Sequence, residues 1–225
     1  MLLNTRPNKT QPRRHSITGE GNRQRILSAA EEVFAAYGYN GGTVGMIAEQ
    51  ARLSKPNVLY YFPSKAEIYD RLLVSILDDW IGKMALFEQA GDEPADKIAA
   101  YIRGKIAFSR IRPNASRVFA NEIIGGARNL EKAIHARLRP QLKKDVELVY
   151  CWIRDGKIDS IDPYHLFFLI WSSTQSYADF SAQIRMLLQK EQLETEDFKA
   201  AETFLINLVL KGLGLYAESG ARTRG

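Results

Sequence analysis

The chain is poor in cysteine: Cys151 is the single thiol in 225 residues. That excludes an internal disulfide framework and a cysteine-rich zinc site, and it fits a reducing, cytoplasmic compartment. Long apolar runs are also missing. No stretch approaches the roughly 18 residues of a spanning helix, so no membrane partner is expected. The opening MLLNTRPNKTQPRR carries cations without a following apolar segment, so it does not read as a secretory leader. Eight prolines and 16 glycines are too few for a collagen-like or low-complexity chain. His15, His135 and His165 are scattered, with no second ligand at helical spacing. There is no nucleophile elbow, no phosphate-cradling glycine loop and no zincin helix. These gaps leave no catalytic residue, no metal site and no cofactor to expect, and they argue against an enzyme.

What is present is an uneven charge. Residues 1–65 hold nine Lys/Arg against four Asp/Glu, and residues 66–225 hold 22 of each, so the whole net charge of +5 sits at the N-terminal end. A basic block beside a neutral body fits a polyanionic partner for the first part of the chain. A solvated, soluble tail accounts for the same block equally well.

The hydropathy pattern has a helical period throughout and no sustained alternation, so the fold class is all-α. Residues 1–19, with Pro7, Pro12 and Gly19, read as a flexible basic arm. Ile26, Leu27, Ala30, Val33, Phe34 and Tyr37 then share one helical face, and Gly38 stops that helix. Thr43 is placed to cap a second helix with Val44, Ile47, Ala48 and Ala51 inward. Ser54 is placed to cap a third, Lys55 to Tyr61, with Pro56 in its first turn and Val58 and Leu59 inward. Ser64 and Glu67 form a capping box for a long fourth helix with Ile68, Leu72, Ile76, Leu77, Trp80, Ile81 and Met84 on its stripe. Further helices are expected after Pro94 and Pro113, from Leu130 to Asp155 with Pro140 as a kink or division, and after Pro163 and Thr195. The expected organisation is an arm at 1–19, a head at 20–65, a larger helical domain at 66–219 and a tail at 220–225.

Only Arg52 and Leu53 separate the second and third helices, which suits a helix-turn-helix. In that motif the second helix of the pair offers its N-terminal residues to base edges in the major groove. Here those residues are Ser54, Lys55, Asn57 and Tyr60. Asparagine pairs in bidentate fashion with adenine, and lysine donates to guanine or phosphate. Thr43, Tyr61 and Lys65 flank the helix as phosphate-holding candidates.

The stretch TVGMIAEQARLSKPNVLYYFPSK (43–65), preceded by ILSAAEEVFAAYGYNGGT, resembles the DNA-binding signature of the TetR family of regulators. Two positions depart from the pattern: Arg52 stands where the inter-helix turn usually has glycine, and Gly45 lies inside the second helix. The segments LLVSILDDWIGKM, SRIRPNASRVFANEIIGGA and DPYHLFFLIWSSTQSYADF are similar to the pyrimidine-utilisation subgroup of that family. The resemblance implies a homodimer on a palindromic, double-stranded operator, released by a small effector such as uracil or thymine. It implies a pocket drawn from Leu77, Trp80, Phe119, Glu122, Ile123, Trp171, Gln175 and Tyr177.

On chemistry alone, a Trp or Tyr on an apolar stripe is most often core, and Glu122 is as well explained by a salt-bridged face. Gln175 is different, because an amide near a buried stripe needs partners and can donate and accept together. Two other readings stay open at this point. One is a regulator of the same fold holding a larger fatty acyl or drug-like effector. The other is a helical adaptor with an incidental basic tail.

Overall fold

The computed structural model describes residues 14–89 and 91–215, with side chains from residue 19 onward except at 86, 88 and 89. No strand occurs among the described residues. The first 13 residues of the expected arm and the expected tail at 220–225 lie outside the described residues. The chain divides into two compact units, one ending at Leu72 and one beginning at Leu73.

The first unit is a three-helix head extended by the start of a fourth helix. Helix α1 runs Arg14–Gly41, so residues 14–19 are helical rather than part of an arm. Nothing between Arg14 and Thr18 breaks a helix, and an interior glycine such as Gly19 costs only about 1 kcal/mol. Gly38 breaks α1 with φ 67°, ψ 176°. Helix α2 is Val44–Gln50 and α3 is Lys55–Tyr61. The hydroxyl of Thr43 accepts from the Met46 amide at 3.2 Å, and that of Ser54 accepts from the Asn57 amide at 3.3 Å. Both are N-caps of the expected kind. Ile26, Ala30, Phe34, Ile47, Ala48 and Val58 are buried together. Tyr37, expected on the inner stripe of α1, is 59% exposed, because the helix breaks one residue later. At Gly42 a Cβ would lie 2.9 Å from the Phe34 ring, so only glycine lets that turn press on the core.

Helix α4, Lys65–Gln89, is opened by the Ser64 hydroxyl, which accepts from the Glu67 amide at 3.1 Å. The division between the units falls inside α4, not at residue 65. Its first turns bury Ile68, Tyr69 and Leu72, and the Tyr69 ring meets Phe34 edge-on at 5.0 Å, so they belong to the core of the head.

The second unit contains the rest of α4 and the helices α5 (Pro94–Ile111), α6 (Pro113–Ile124), α7 (Glu131–Ala133), α8 (Arg139–Arg154), α9 (Pro163–Asp179), α10 (Ser181–Leu187) and α11 (Thr195–Gly212). A π-helical turn, Ile134–Leu138, joins α7 to α8. The expected single helix from Leu130 is therefore re-wound rather than cut. Pro140, in the first turn of α8, lacks an N–H and crowds the preceding turn, which widens to accept it.

Helix α5 is central and packs against α9 and α11. Phe87, Tyr101, Trp152 and Phe167 form the aromatic centre of the core, with Phe87 5.4–5.8 Å from Tyr101 and Phe167. The expected Thr195 cap is replaced by Glu194, which forms a capping box with Asp197. Phe204 and Leu208, expected on the buried stripe of α11, are 63% and 51% exposed, while Leu205 and Val209 face the core. Cys151 is half-buried, with the Arg154 guanidinium 3.0 Å from its sulfur.

Candidate nucleic-acid interface and effector cavity

The helix-turn-helix is held from several sides. Arg52 adopts φ 53°, the left-handed conformation the turn demands, at about 1 kcal/mol for a residue with a Cβ. Arg25 of α1 donates to the Ala51 carbonyl at 2.6 Å, tying the end of α2 to α1. Helix α3 has seven residues and buries Val58 alone. Ser54, Lys55, Pro56 and Tyr60 are on the surface, Asn57 is half-buried, and Tyr60 is 79% exposed. Leu59, expected inward, lies on the outer side of this short helix.

The flanking candidates are placed differently from one another. Thr43 is exposed beside its cap. The Tyr61 hydroxyl accepts from Asn22 at 3.0 Å, and its ring meets Tyr60 edge-on at 5.2 Å. Lys65 is turned into the head. Its ammonium donates to the carbonyls of Tyr39 (2.9 Å) and Gly42 (3.2 Å) and stacks 4.5 Å from the Tyr39 ring. Two of its three N–H groups therefore hold the α1–α2 turn, and Lys65 acts first as a brace of the head.

Within the second unit, a cavity of about 270 Å³ is lined by Trp80, Phe119, Ala120, Ile123, Ile124, Ile134, Leu138, Trp171 and Gln175. The Trp80 and Phe119 rings lie 4.4 Å apart. Trp171 is fixed in the wall by donating its indole N–H to the Tyr101 hydroxyl at 2.5 Å. Burial pushes that phenol above its ordinary pKa. Gln175 has no protein hydrogen-bond partner among the described residues, so its amide remains open to a guest.

Trp80, Phe119, Ile123, Trp171 and Gln175 are thus brought together as expected. Three expected lining residues are elsewhere. Leu77 is wholly buried. Glu122 accepts from the Asn129 amide (2.8 Å) and side chain (3.1 Å), bracing the turn after α6 at Ala127, whose φ is 56°. Tyr177 packs on Phe198, 6.2 Å away, at the edge of the core.

Ile134 and Leu138, four apart on the π turn, were not expected in the wall. Their spacing was legible, but their direction depended on the local widening. Lys105 of α5 was also missed, although it interrupts a stripe of Ile98, Ile102, Ile106 and Ser109. Its ammonium lies 3.4 Å from the centroid of the Trp80 ring, and the residue is 3% exposed. Burial pushes its pKa down to about 7, against a smaller upward pull from Asp179. Burial raises Asp179 in turn, opposed by its hydrogen bond from Ser116 (2.6 Å) and by Lys105 and Arg117.

No group of His, Cys, Asp and Glu able to hold a metal occurs among the described residues. No helix of the described residues is long and apolar enough to cross a membrane.

Two family models match the chain. Bacterial regulatory proteins, tetR family, covers residues 26–72, and YcdC-like protein, C-terminal region, covers residues 73–216. The HTH-type transcriptional regulator RutR of Escherichia coli is 41% identical over 162 residues, which are 72% of this chain and 76% of that protein. Among solved structures, SCO4942 from Streptomyces coelicolor is 27% identical with a TM-score of 0.62, covering 87% of this chain and 99% of that one. The ketosteroid transcriptional regulator KstR2 of Mycobacterium tuberculosis shares the fold, at 18% identity and a TM-score of 0.69, covering 85% of this chain and 94% of that one. With an exposed, capped second helix in its helix-turn-helix and a family model on each side of Leu72, this chain belongs to the TetR family of transcriptional regulators.

Proposed function

We propose that the protein is a homodimeric repressor that binds a palindromic operator and leaves it when a pyrimidine base, uracil or thymine, enters the cavity of the second unit. The cavity carries this reading. Its volume of about 270 Å³ is at or below the low end of ligand pockets, about 300–1,000 Å³, which favours a small ring over an acyl chain. Trp80, Phe119 and Trp171 offer flat apolar walls, and the open amide of Gln175 offers a donor and an acceptor to one edge of a cyclic imide.

Base reading falls to Ser54, Lys55, Asn57 and Tyr60, while Thr43, Tyr61 and exposed cations of α1 such as Arg23 contact phosphates. One such head reads few bases. Two heads related by a dyad read half-sites one helical turn, about 34–36 Å, apart. Exposed Phe168 and Leu169 on α9 and Phe204 and Leu208 on α11 supply an apolar seam for the second copy. Helix α4 is common to both units and carries Trp80, so effector contacts that differ between two states of α4 bias DNA binding.

A gel shift on the DNA upstream of the protein's own gene, with and without uracil, tests this. The expected result is a salt-sensitive, sequence-selective shift that uracil abolishes. A selective shift that an acyl-CoA abolishes and uracil leaves intact would replace the pyrimidine reading with that of the larger effector.

A further inference from the structure

One chain of side-chain hydrogen bonds links the three helices of the head. Arg25 of α1 donates one guanidinium nitrogen to the Ala51 carbonyl at 2.6 Å, at the end of α2. Its other terminal nitrogen donates to the Asn22 carboxamide oxygen at 3.5 Å. With its oxygen turned to Arg25, Asn22 points its amide nitrogen at α3 and donates to the Tyr61 hydroxyl at 3.0 Å. A phenolic hydroxyl has one proton to donate and two lone pairs. Asn22 occupies a lone pair, and no acceptor takes the proton among the described residues. Tyr61 is the last residue of α3 and is half-buried, as is Asn22. The exposed Arg23 guanidinium lies 5.8 Å from the centroid of the Tyr61 ring and 5.7 Å from that of Phe62. The phenol is thus held at its oxygen and on a ring face, beside a cation, with its O–H left over.

We propose that Asn22 is a positioning residue for DNA binding: by donating to the Tyr61 hydroxyl it leaves the phenolic proton for a phosphate oxygen of the duplex. The proposal rests on the reading of Tyr61 as a phosphate contact and deepens it. Asn22 acts through Tyr61 in two ways. A donor at the phenol oxygen removes the option of donating inward, and hydrogen bonds in series polarise and strengthen one another. Arg25 orients the amide, but it also holds the end of α2, so Asn22 is the residue to change.

The test uses the full-length protein and fluorescence anisotropy on two duplexes, the DNA upstream of its own gene and a random sequence of equal length. Tyr61→Phe should bind both about tenfold or more weakly, the loss typical of a hydrogen bond to a charged group, since a phosphate carries no sequence. Asn22→Ala should lose about two- to tenfold, the range of one neutral hydrogen bond. Asn22→Asp should lose as much as Tyr61→Phe, because a carboxylate only accepts and draws the phenolic proton inward. In a Tyr61→Phe background, Asn22→Ala should weaken binding no further. Duplexes with single methylphosphonates supply the readout that a structural role would not move. The wild type should be sensitive at one phosphate of each half-site, and Tyr61→Phe and Asn22→Asp should be insensitive there.

Tyr61→Phe that matches the wild type on both duplexes would overturn the phosphate contact and the role of Asn22 with it. Weak binding by Tyr61→Phe, with both Asn22 variants matching the wild type, would overturn Asn22 and leave the contact intact. An Asn22→Ala loss that persists in the Tyr61→Phe background, or that comes with a lower melting temperature and an unchanged methylphosphonate pattern, would make Asn22 a structural residue and overturn the proposal. The expected ranking on random DNA without any preference for the upstream duplex would support Asn22 and remove that duplex as the operator.

Discussion

The head and the helical body handle their polar groups in opposite ways. In the head, Thr43, Ser54 and Ser64 cap helices, while Arg25 and Lys65 clamp carbonyls. Those side chains hold the backbone, and Lys55 and Tyr60 remain on the surface. In the body, Lys105, Ser109, Ser116 and Thr174 are buried among apolar helices, and Gln175 opens on a cavity. A partner as large and charged as DNA is met by an exposed, rigid helix. A small uncharged ring needs enclosure, where each polar group left unsatisfied is costly and therefore selective.

The largest effect that would sharpen this contrast is in the core of the body. Phe87→Ala, at a wholly buried ring, should cost about 3–5 kcal/mol in urea unfolding. Tyr60→Ala on the head should change stability by no more than about 0.5 kcal/mol while weakening operator binding. Equal destabilisation by the two would break the distinction between the packed core of the body and the exposed surface of the head. Next, Asn57→Ala should cost about 1–3 kcal/mol of specific operator binding, measured by fluorescence anisotropy, and little on random DNA.

A pH effect follows from Lys105. Its pKa in the folded state, about 7, is below the ordinary lysine value of 10.5, so between the two the unfolded chain holds a proton that the folded chain has released. Stability against urea should therefore rise from about pH 7 to about pH 10.5, and that rise should vanish in Lys105→Met. Ser54→Ala should lower head stability by about 1 kcal/mol through the lost cap. The smallest effect expected is a gain of roughly 0.5 kcal/mol in Arg52→Gly, where relief of the left-handed backbone slightly exceeds the added chain entropy. Thermal melts resolve both.

The head was readable because its determinants are local. Caps at Thr43 and Ser54, Pro56 in a first turn and a two-residue separation between helices are all fixed by neighbours within four positions. Tyr37 was left outside by the local break at Gly38, whereas the carbonyl partners of Lys65 are over 20 residues away in the chain, beyond the reach of a local signal. The cavity was readable in part. Trp80, Phe119, Ile123, Trp171 and Gln175 meet there, while Leu77, Glu122 and Tyr177 do not. On a helical stripe, the residues that reach a void and those that pack the core beside it share one period, and only crossing angles separate them.

Composition, period and caps thus determined an all-helical chain with a basic N-terminal end and an exposed, capped third helix, since each acts over a turn or two of backbone. Tertiary packing alone decided which aromatic rings line a void, that Ile134 and Leu138 of the π-helical turn line it too, and that the ammonium of Lys105 is buried against Trp80. Burial and the distance between groups far apart in the chain are properties of the assembled helices, and they set the electrostatics of the site.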